Sequence, residues 1–372
     1  MTGRMVRRLL LMACLLVATF TGGCWDSLDI KHQALVFGMA VDAAPGGGFM
    51  VSLQMPQPTP TAGRRETSLH GAARTVSVVA PTLVEAFPMA QSLVAQTLQF
   101  GHLRAVILGE ELARSGAATE HVIESLIRSP AMDDSAFLLV AHGQARDILS
   151  STAQPFVSLF INDLFDNVRQ GLPVASRAVW EVLRDIETPG REPFAPGVTM
   201  TGEGLQLSGT AIFDGFRVVG WLDEAETRGF LFLTGRGDGL LIAVPTPHGE
   251  AGVQILYITS DQRPRVDNGR PVMEVSTRLT GVIMRKPPRL TLIDSGGFRA
   301  ISRCTERQVE REMRSALDAL QKRLKCDAAG MGRSFFYRMP AAWQKFNWKQ
   351  EFPDLEVRIT THVVLKRKGL LK

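Results

Sequence analysis

Gly101-His102-Leu103-Arg104-Ala105-Val106-Ile107-Leu108-Gly109 is a short apolar run closed by glycine at both ends, and the charged Glu110-Glu111-Leu112-Ala113-Arg114 follows at once. Ala105 to Leu108 shows no polar alternation, which is the pattern of a strand covered on both faces. The period changes repeatedly around it. Helices are predicted over Glu110–Arg114 and Thr119–Arg128, the second with Thr119 as its N-cap. Ala136–Ala141 reads as a strand and Gln144–Leu149 as a short helix. Upstream, Gly71–Ala80 reads as a strand, and Pro81–Phe100 as a helix carrying Leu83, Phe87, Leu93, Val94 and Leu98. This alternation from Gly71 to Leu149 predicts a sheet flanked by helices.

Outward from that block, Ala34–Val41 and Phe49–Met55 form a predicted hairpin through a glycine-rich turn, and Pro56–Thr67 an exposed loop. Phe156–Gln170 and Ser176–Ile186 are predicted amphipathic helices, with Ser176 as cap and Val179, Trp180, Leu183 and Ile186 on one face of the second. Thr188-Pro189-Gly190-Arg191-Glu192-Pro193-Phe194-Ala195-Pro196-Gly197 has the composition of a linker, so a domain boundary is placed there. Beyond it, Leu205–Phe213 and Phe216–Leu222 pair through Asp214-Gly215, a favoured hairpin turn. Helices over Asp223–Phe232 and Thr305–Lys325 bracket strands over Gly239–Val244, Ala251–Thr259 and Val272–Met284. A short helix over Ala341–Lys349 and a strand over Leu355–Leu365 close the chain. The expected fold class is α/β in the mixed α+β sense and multi-domain, each domain a mainly antiparallel or mixed sheet flanked by helices. The expected units are a cleaved segment 1–23, an N-terminal α/β region 24–196 with room for two subdomains, and a C-terminal α/β domain 197–372.

The first 24 residues carry a sorting signal. Arg4, Arg7 and Arg8 precede Leu9–Phe20, in which only Thr19 is polar. That run is shorter than the ~20 residues a spanning helix needs and fits a signal peptide. Thr21-Gly22-Gly23 supplies small residues for the peptidase, and Cys24 stands where the bacterial lipoprotein pattern places its acylated thiol. Cys24 is therefore the expected lipidation site, an N-palmitoyl, S-diacylglycerol cysteine. Thr21 stands where an apolar residue is usual.

Composition narrows the rest. At 45% hydrophobic and 21% charged the chain can bury an ordinary core. Cys304 and Cys326 flank a predicted helix about 33 Å long, too far apart for a disulfide, so both are expected free. Between Arg285 and Lys372, 20 Lys and Arg stand against 9 Asp and Glu. Such a basic portion suits a solvated basic face, or else an anionic membrane surface or a membrane partner, and export argues against nucleic acid. Asp294-Ser295-Gly296-Gly297 lacks the context of a serine nucleophile, and Gly235-Arg236-Gly237-Asp238-Gly239 lacks phosphate-loop spacing. The seven histidines make no ligand pair. No catalytic residue, cofactor or metal is therefore assigned, and the chain is expected to be a membrane-tethered binding or assembly protein.

Several stretches together resemble a known family. They are Gly23-Cys24-Trp25-Asp26, Ala34–Asp42 and Leu103–Ala113, then Gly209-Thr210-Ala211-Ile212-Phe213, Val219-Gly220-Trp221-Leu222 and Glu226-Thr227-Arg228-Gly229, and lastly Pro340, Trp343 and Trp348. On these the chain is identified as resembling the Ger(x)C spore germination lipoproteins, the C-subunits of germinant receptors. Cys326-Asp327-Ala328-Ala329-Gly330-Met331-Gly332 is looser than the family's corresponding loop. The resemblance implies a non-enzymatic receptor subunit, lipid-anchored on the outer face of the spore inner membrane. Its implied partners are integral-membrane A- and B-type subunits. Trp221, Glu226, Arg228, Trp343 and Trp348 are the candidate partner surface; the same residues could serve folding alone. A stand-alone solute-binding lipoprotein is the alternative reading.

Overall fold

The computed structural model describes residues 32–57, 73–154, 156–166, 171–287 and 295–366, besides three isolated positions (3, 7 and 12). Cys24, most of the expected loop after Pro56 and the basic end beyond 366 lie outside the described residues. Ten strands precede residue 223: β1 (Gln33–Leu35), β2 (Gly38–Ala43), β3 (Phe49–Pro56), β4 (Ala73–Ala80), β5 (Thr97–Gln99), β6 (Ala105–Leu108), β7 (Phe137–Ala141), β8 (Phe194–Thr201), β9 (Gly204–Asp214) and β10 (Arg217–Leu222). The helices among them are α1 (Leu83–Gln91), α2 (Glu110–Ala113), α3 (Gly116–Arg128), α4 (Ala145–Leu149), α5 (Val157–Asp166) and α6 (Val179–Glu187).

Strand β6 is buried throughout, as its apolar run requires. It sits near the middle of an eight-stranded sheet ordered β10-β9-β8-β7-β6-β2-β3-β4. Strands β8, β7, β6 and β2 run parallel, and antiparallel pairs extend the sheet on both sides. Side chains of β6 alternate between two cores: Val106 and Leu108 pack with residues of α1, α3 and α6, whereas Ala105 and Ile107 pack with residues of α4 and α5.

Beyond β10 lie α7 (Glu224–Thr234), β11 (Leu241–Thr246), β12 (Gly249–Asp267), β13 (Arg270–Arg285), α8 (Ser295–Asp318), α9 (Met331–Arg338), α10 (Pro340–Trp343), α11 (Trp348–Glu351) and β14 (Glu356–Lys366). Strands β11 to β14 form a second sheet in sequence order, with β14 added parallel to β13. Its core joins this sheet to α7 and α8, and also takes in Phe194, Ile212 and Leu222 from the first sheet. A two-stranded parallel sheet of β1 and β5 completes a mixed α/β fold with three sheets. Among the described residues no helix is long and apolar enough to cross a membrane.

Several local expectations are corrected. The strand over Ala34–Val41 breaks at Val36-Phe37, so β1 pairs with β5 while β2 enters the large sheet. The helix from Pro81 stops at Gln91, whose side-chain amide donates to the carbonyls of Val94 and Gln96 and accepts from the Leu98 amide. Those three bonds replace further helix with a turn into β5. Ser115, not Thr119, caps α3; Thr119 is buried and its hydroxyl donates to the Leu112 carbonyl. Helix α6 starts after Ala178, not Ser176. Trp180 faces outward, stacked on the Arg184 guanidinium, while Val179, Val182 and Asp185 face inward.

The expected linker is partly strand: Phe194–Gly197 opens β8, and a bulge between Pro196 and Val198 accommodates the proline. Strands β9 and β10 hydrogen-bond onto the same sheet, which therefore continues across the 196/197 position to Leu222. Helix α8 begins at Ser295, ten residues before the predicted start, and ends in a π-helical turn over Ala319–Leu324. The segment expected as one helix near Ala341–Lys349 is two short ones, preceded by the unpredicted α9. Cys304 and Cys326 are free and buried.

Candidate functional site

The segment Gly209 to Gly229 gathers three of the five candidate surface residues, and most of its side chains are engaged within the fold. Asp223 caps α7: its carboxylate accepts from the Glu226 amide, and the Glu226 carboxylate accepts from the Asp223 amide. Glu226 also pairs with Arg323 in the π turn. Thr227 is buried, with its hydroxyl 3.0 Å from that of Thr210 on β9. Arg228 reaches both carboxylate oxygens of Glu312 on α8, each at 3.2 Å, and Glu224 at 3.2 Å.

The motif's glycines serve close approach. A Cβ on Gly229 would stand 1.9 Å from the Glu312 carbonyl oxygen, so α7 and α8 touch backbone to backbone there. Gly209 has φ +71° and would carry a Cβ 2.1 Å from the Leu222 carbonyl oxygen. Glu226 and Arg228 therefore tie α7 to the C-terminal helices.

Trp221 is different. It is partly buried, its ring lies 3.9 Å from that of His142, and its indole N–H is buried with no hydrogen-bond partner among the described residues. His142 Nε2 lies 3.2 Å from the Ser208 carbonyl oxygen. Both rings line an open cleft of about 710 Å³ with Phe160, Leu164, Leu205 and Leu207, and Asp223, Glu224 and Arg323 supply charge. A space this size, mostly apolar with few polar groups, has the character of a ligand or partner recess.

Trp343 and Trp348 lie elsewhere, their rings tilted against each other at 5.7 Å. Trp348 is buried and packs on Phe335 and Phe352. Its indole N–H donates at 2.9 Å to Asp327, a buried carboxylate that also accepts from the Met331 and Gly332 amides. The structure thus places Trp348 in the core, and leaves Trp343 half-buried at its margin. Burial pushes Asp327 up to about 6.

One cluster escaped the sequence. Arg177 is fully buried, with its guanidinium 4.2 Å from the centroid of the Phe194 ring. It pairs with Glu181 at 2.9 Å and with Asp185 at 2.9 Å. Asp185 is shared with Arg184 at 3.5 Å and Arg191 at 3.4 Å. Arg191, Arg236, Arg333 and Arg338 then line a cleft of about 250 Å³ between these residues and the second sheet. Desolvation, then the charge of Arg236, lowers Arg177 to about 10, and desolvation also brings Arg191 to about 10 despite Asp185. These arginines come from three separate stretches, 177–191, 236 and 333–338, so no spacing could reveal them. Among the described residues, no three or more His, Cys, Asp or Glu side chains gather in a way that could hold a metal ion.

Residues 26–200 match the model of the spore germination protein N-terminal domain, and residues 208–369 that of the spore germination B3/GerAC-like C-terminal domain. YfkR of Bacillus subtilis (strain 168), provisionally named a spore germination protein, is 27% identical over 96% of this chain and 96% of its own. Spore germination protein KC of the same organism is 24% identical over 98% of this chain and 97% of its own. The crystal structure of the GerBC protein matches with a TM-score of 0.57 at 17% identity, over 88% of this chain and 96% of that one, and so shares the fold. With both halves of the chain matched and relatives aligned from end to end, the protein belongs to the Ger(x)C, GerAC-like family of spore germination proteins.

Proposed function

We propose that this chain is a non-enzymatic lipoprotein subunit of a spore germinant receptor. Lipid on Cys24 holds it at the outer face of the spore inner membrane, where it joins integral-membrane A- and B-type subunits and is needed for assembly and response to nutrients. The observation that carries this reading is the match of residues 26–200 and 208–369 to the two spore germination domains, the first beginning two residues after Cys24, with relatives aligned over 96% or more of the chain. A chain whose described helices cannot cross a bilayer needs another hold on it. One acyl chain binds only marginally, and the diacylglycerol expected on Cys24 meets that requirement. Trp221, whose indole N–H has no partner among the described residues and whose ring lines an open cleft, is the residue of the candidate surface best placed to meet a partner.

The test is Cys24→Ala in the sporulating organism. The substitution should move the protein out of the membrane fraction and impair germination by nutrients. Unchanged fractionation together with unchanged germination would overturn the proposal.

A further inference from the structure

Asp185 is approached by three guanidinium groups and Glu181 by two, so five ion contacts to Arg177, Arg184 and Arg191 already draw on the two carboxylates of the junction, which also attract Arg236. Arg236 and Arg333, both exposed, add two more cations at the rim of the same cleft, Arg236 with its guanidinium 5.6 Å from the centroid of the Phe194 ring. Neither has a carboxylate within ion-pair distance or a side-chain hydrogen bond among the described residues, although Glu181 and Asp185 attract Arg236 from farther off. Arg338, also at the cleft, is already satisfied by Asp261 at 3.1 Å and the Gln262 carbonyl at 2.8 Å. Arg191 is the most enclosed, with its side chain 9% exposed and its Nε held to Asp185 only by a 3.4 Å ion contact without hydrogen-bond geometry.

Like charges crowded into a partly dry cleft repel, and the cost grows as water is excluded. Folding tolerates this where a counter-charge arrives from outside. We propose that Arg191, Arg236 and Arg333 bind a small free oxyanion, a molecule bearing a carboxylate or phosphate group. The planar donor fork of arginine suits both groups. At about 250 Å³ the cleft lies below the ~300–1,000 Å³ of sites for drug-sized ligands, which fits a dicarboxylate or a phosphomonoester. Three elements meet around the anion: the turn after α6, the Gly235 cap of α7, and α9. Its arrival therefore links the first sheet to the second.

The purified full-length protein in detergent, titrated with inorganic phosphate and with glutarate against sodium chloride of equal ionic strength, tests this. At least one of the two should give saturable heat and raise the melting temperature beyond the chloride control. Arg333→Gln and Arg236→Gln should each weaken binding about tenfold, the order expected for a lost charge-assisted hydrogen bond. In anion-free buffer Arg333→Gln should melt no lower than the native chain, because it removes an unpaired charge. Several results would overturn the proposal. They are binding of neither probe, binding undiminished in both variants, a lower anion-free melting temperature for Arg333→Gln, or arginine-dependent binding only to phosphatidylglycerol vesicles.

Discussion

Asp327 shows how much one side chain organises here. Its Oδ1 accepts from the Met331 amide at 3.0 Å, and its Oδ2 from the Gly332 amide at 2.7 Å and from Trp348 Nε1 at 2.9 Å. Without it, the start of α9 and the indole would leave three buried donors unmet, each costing ~1–3 kcal/mol. Burial nonetheless holds the carboxyl at about 6, against an ordinary 3.8, so the native state keeps its proton at higher pH than the unfolded chain. Stability from this group is then greatest below about pH 4 and is lost as pH rises through 6. The shift amounts to about 3 kcal/mol at 1.36 kcal/mol per unit. Urea unfolding should show the native chain gaining about that much relative to Asp327→Asn between pH 7 and pH 4. A difference that stays flat over this range would show that Asp327 is not the titrating group.

At the scale of elements, the contact of α7 with α8 explains the Glu226-Thr227-Arg228-Gly229 signature. Gly229 lets the helices touch, Thr227 bonds to β9 and Arg228 clamps Glu312, which is buried. Gly229→Ala forces a methyl group into the Glu312 carbonyl and should cost ~1–3 kcal/mol or more, the range for overpacked interiors. Denaturant unfolding measures it, and a variant as stable as the native chain would remove close packing as the reason for this glycine. The outer strand of the second sheet is managed by the same helix. Glu310 and Glu306 of α8 accept from the Thr361 and Val363 amides of β14, blunting an edge that could otherwise pair with another chain.

The whole molecule is tied together where the sequence suggests it should divide. Strand β8 crosses 196/197, β9 and β10 complete the first sheet, and Phe194, Ile212 and Leu222 pack into the core of the second. A chain of residues 24–196 would therefore end inside a sheet strand, with apolar edge groups bared. It should fail to unfold cooperatively, whereas residues 24–222 should show a cooperative transition, at a lower midpoint than the full chain. Circular dichroism during thermal melting distinguishes them, and equal cooperativity of the two pieces would place the division at 196.

By itself the sequence determined what depends on near neighbours. The apolar run of β6, the Asp214-Gly215 hairpin and the helix that follows Leu222 each rest on residues within a few positions, so period and turn chemistry reveal them. The proposed lipidation of Cys24 likewise rests on a local signal. Tertiary structure alone decided the parallel pairings of β1 with β5 and of β13 with β14, whose partners lie 64 and 84 residues apart. It also decided that Trp348 is core, because Asp327 waits 21 residues away for its N–H. The arginine cleft is the clearest case: Arg191 and Arg333 share it only because two sheets meet there. Hydrogen-bond demand and charge act through space, and a linear pattern records them only when space and chain order coincide.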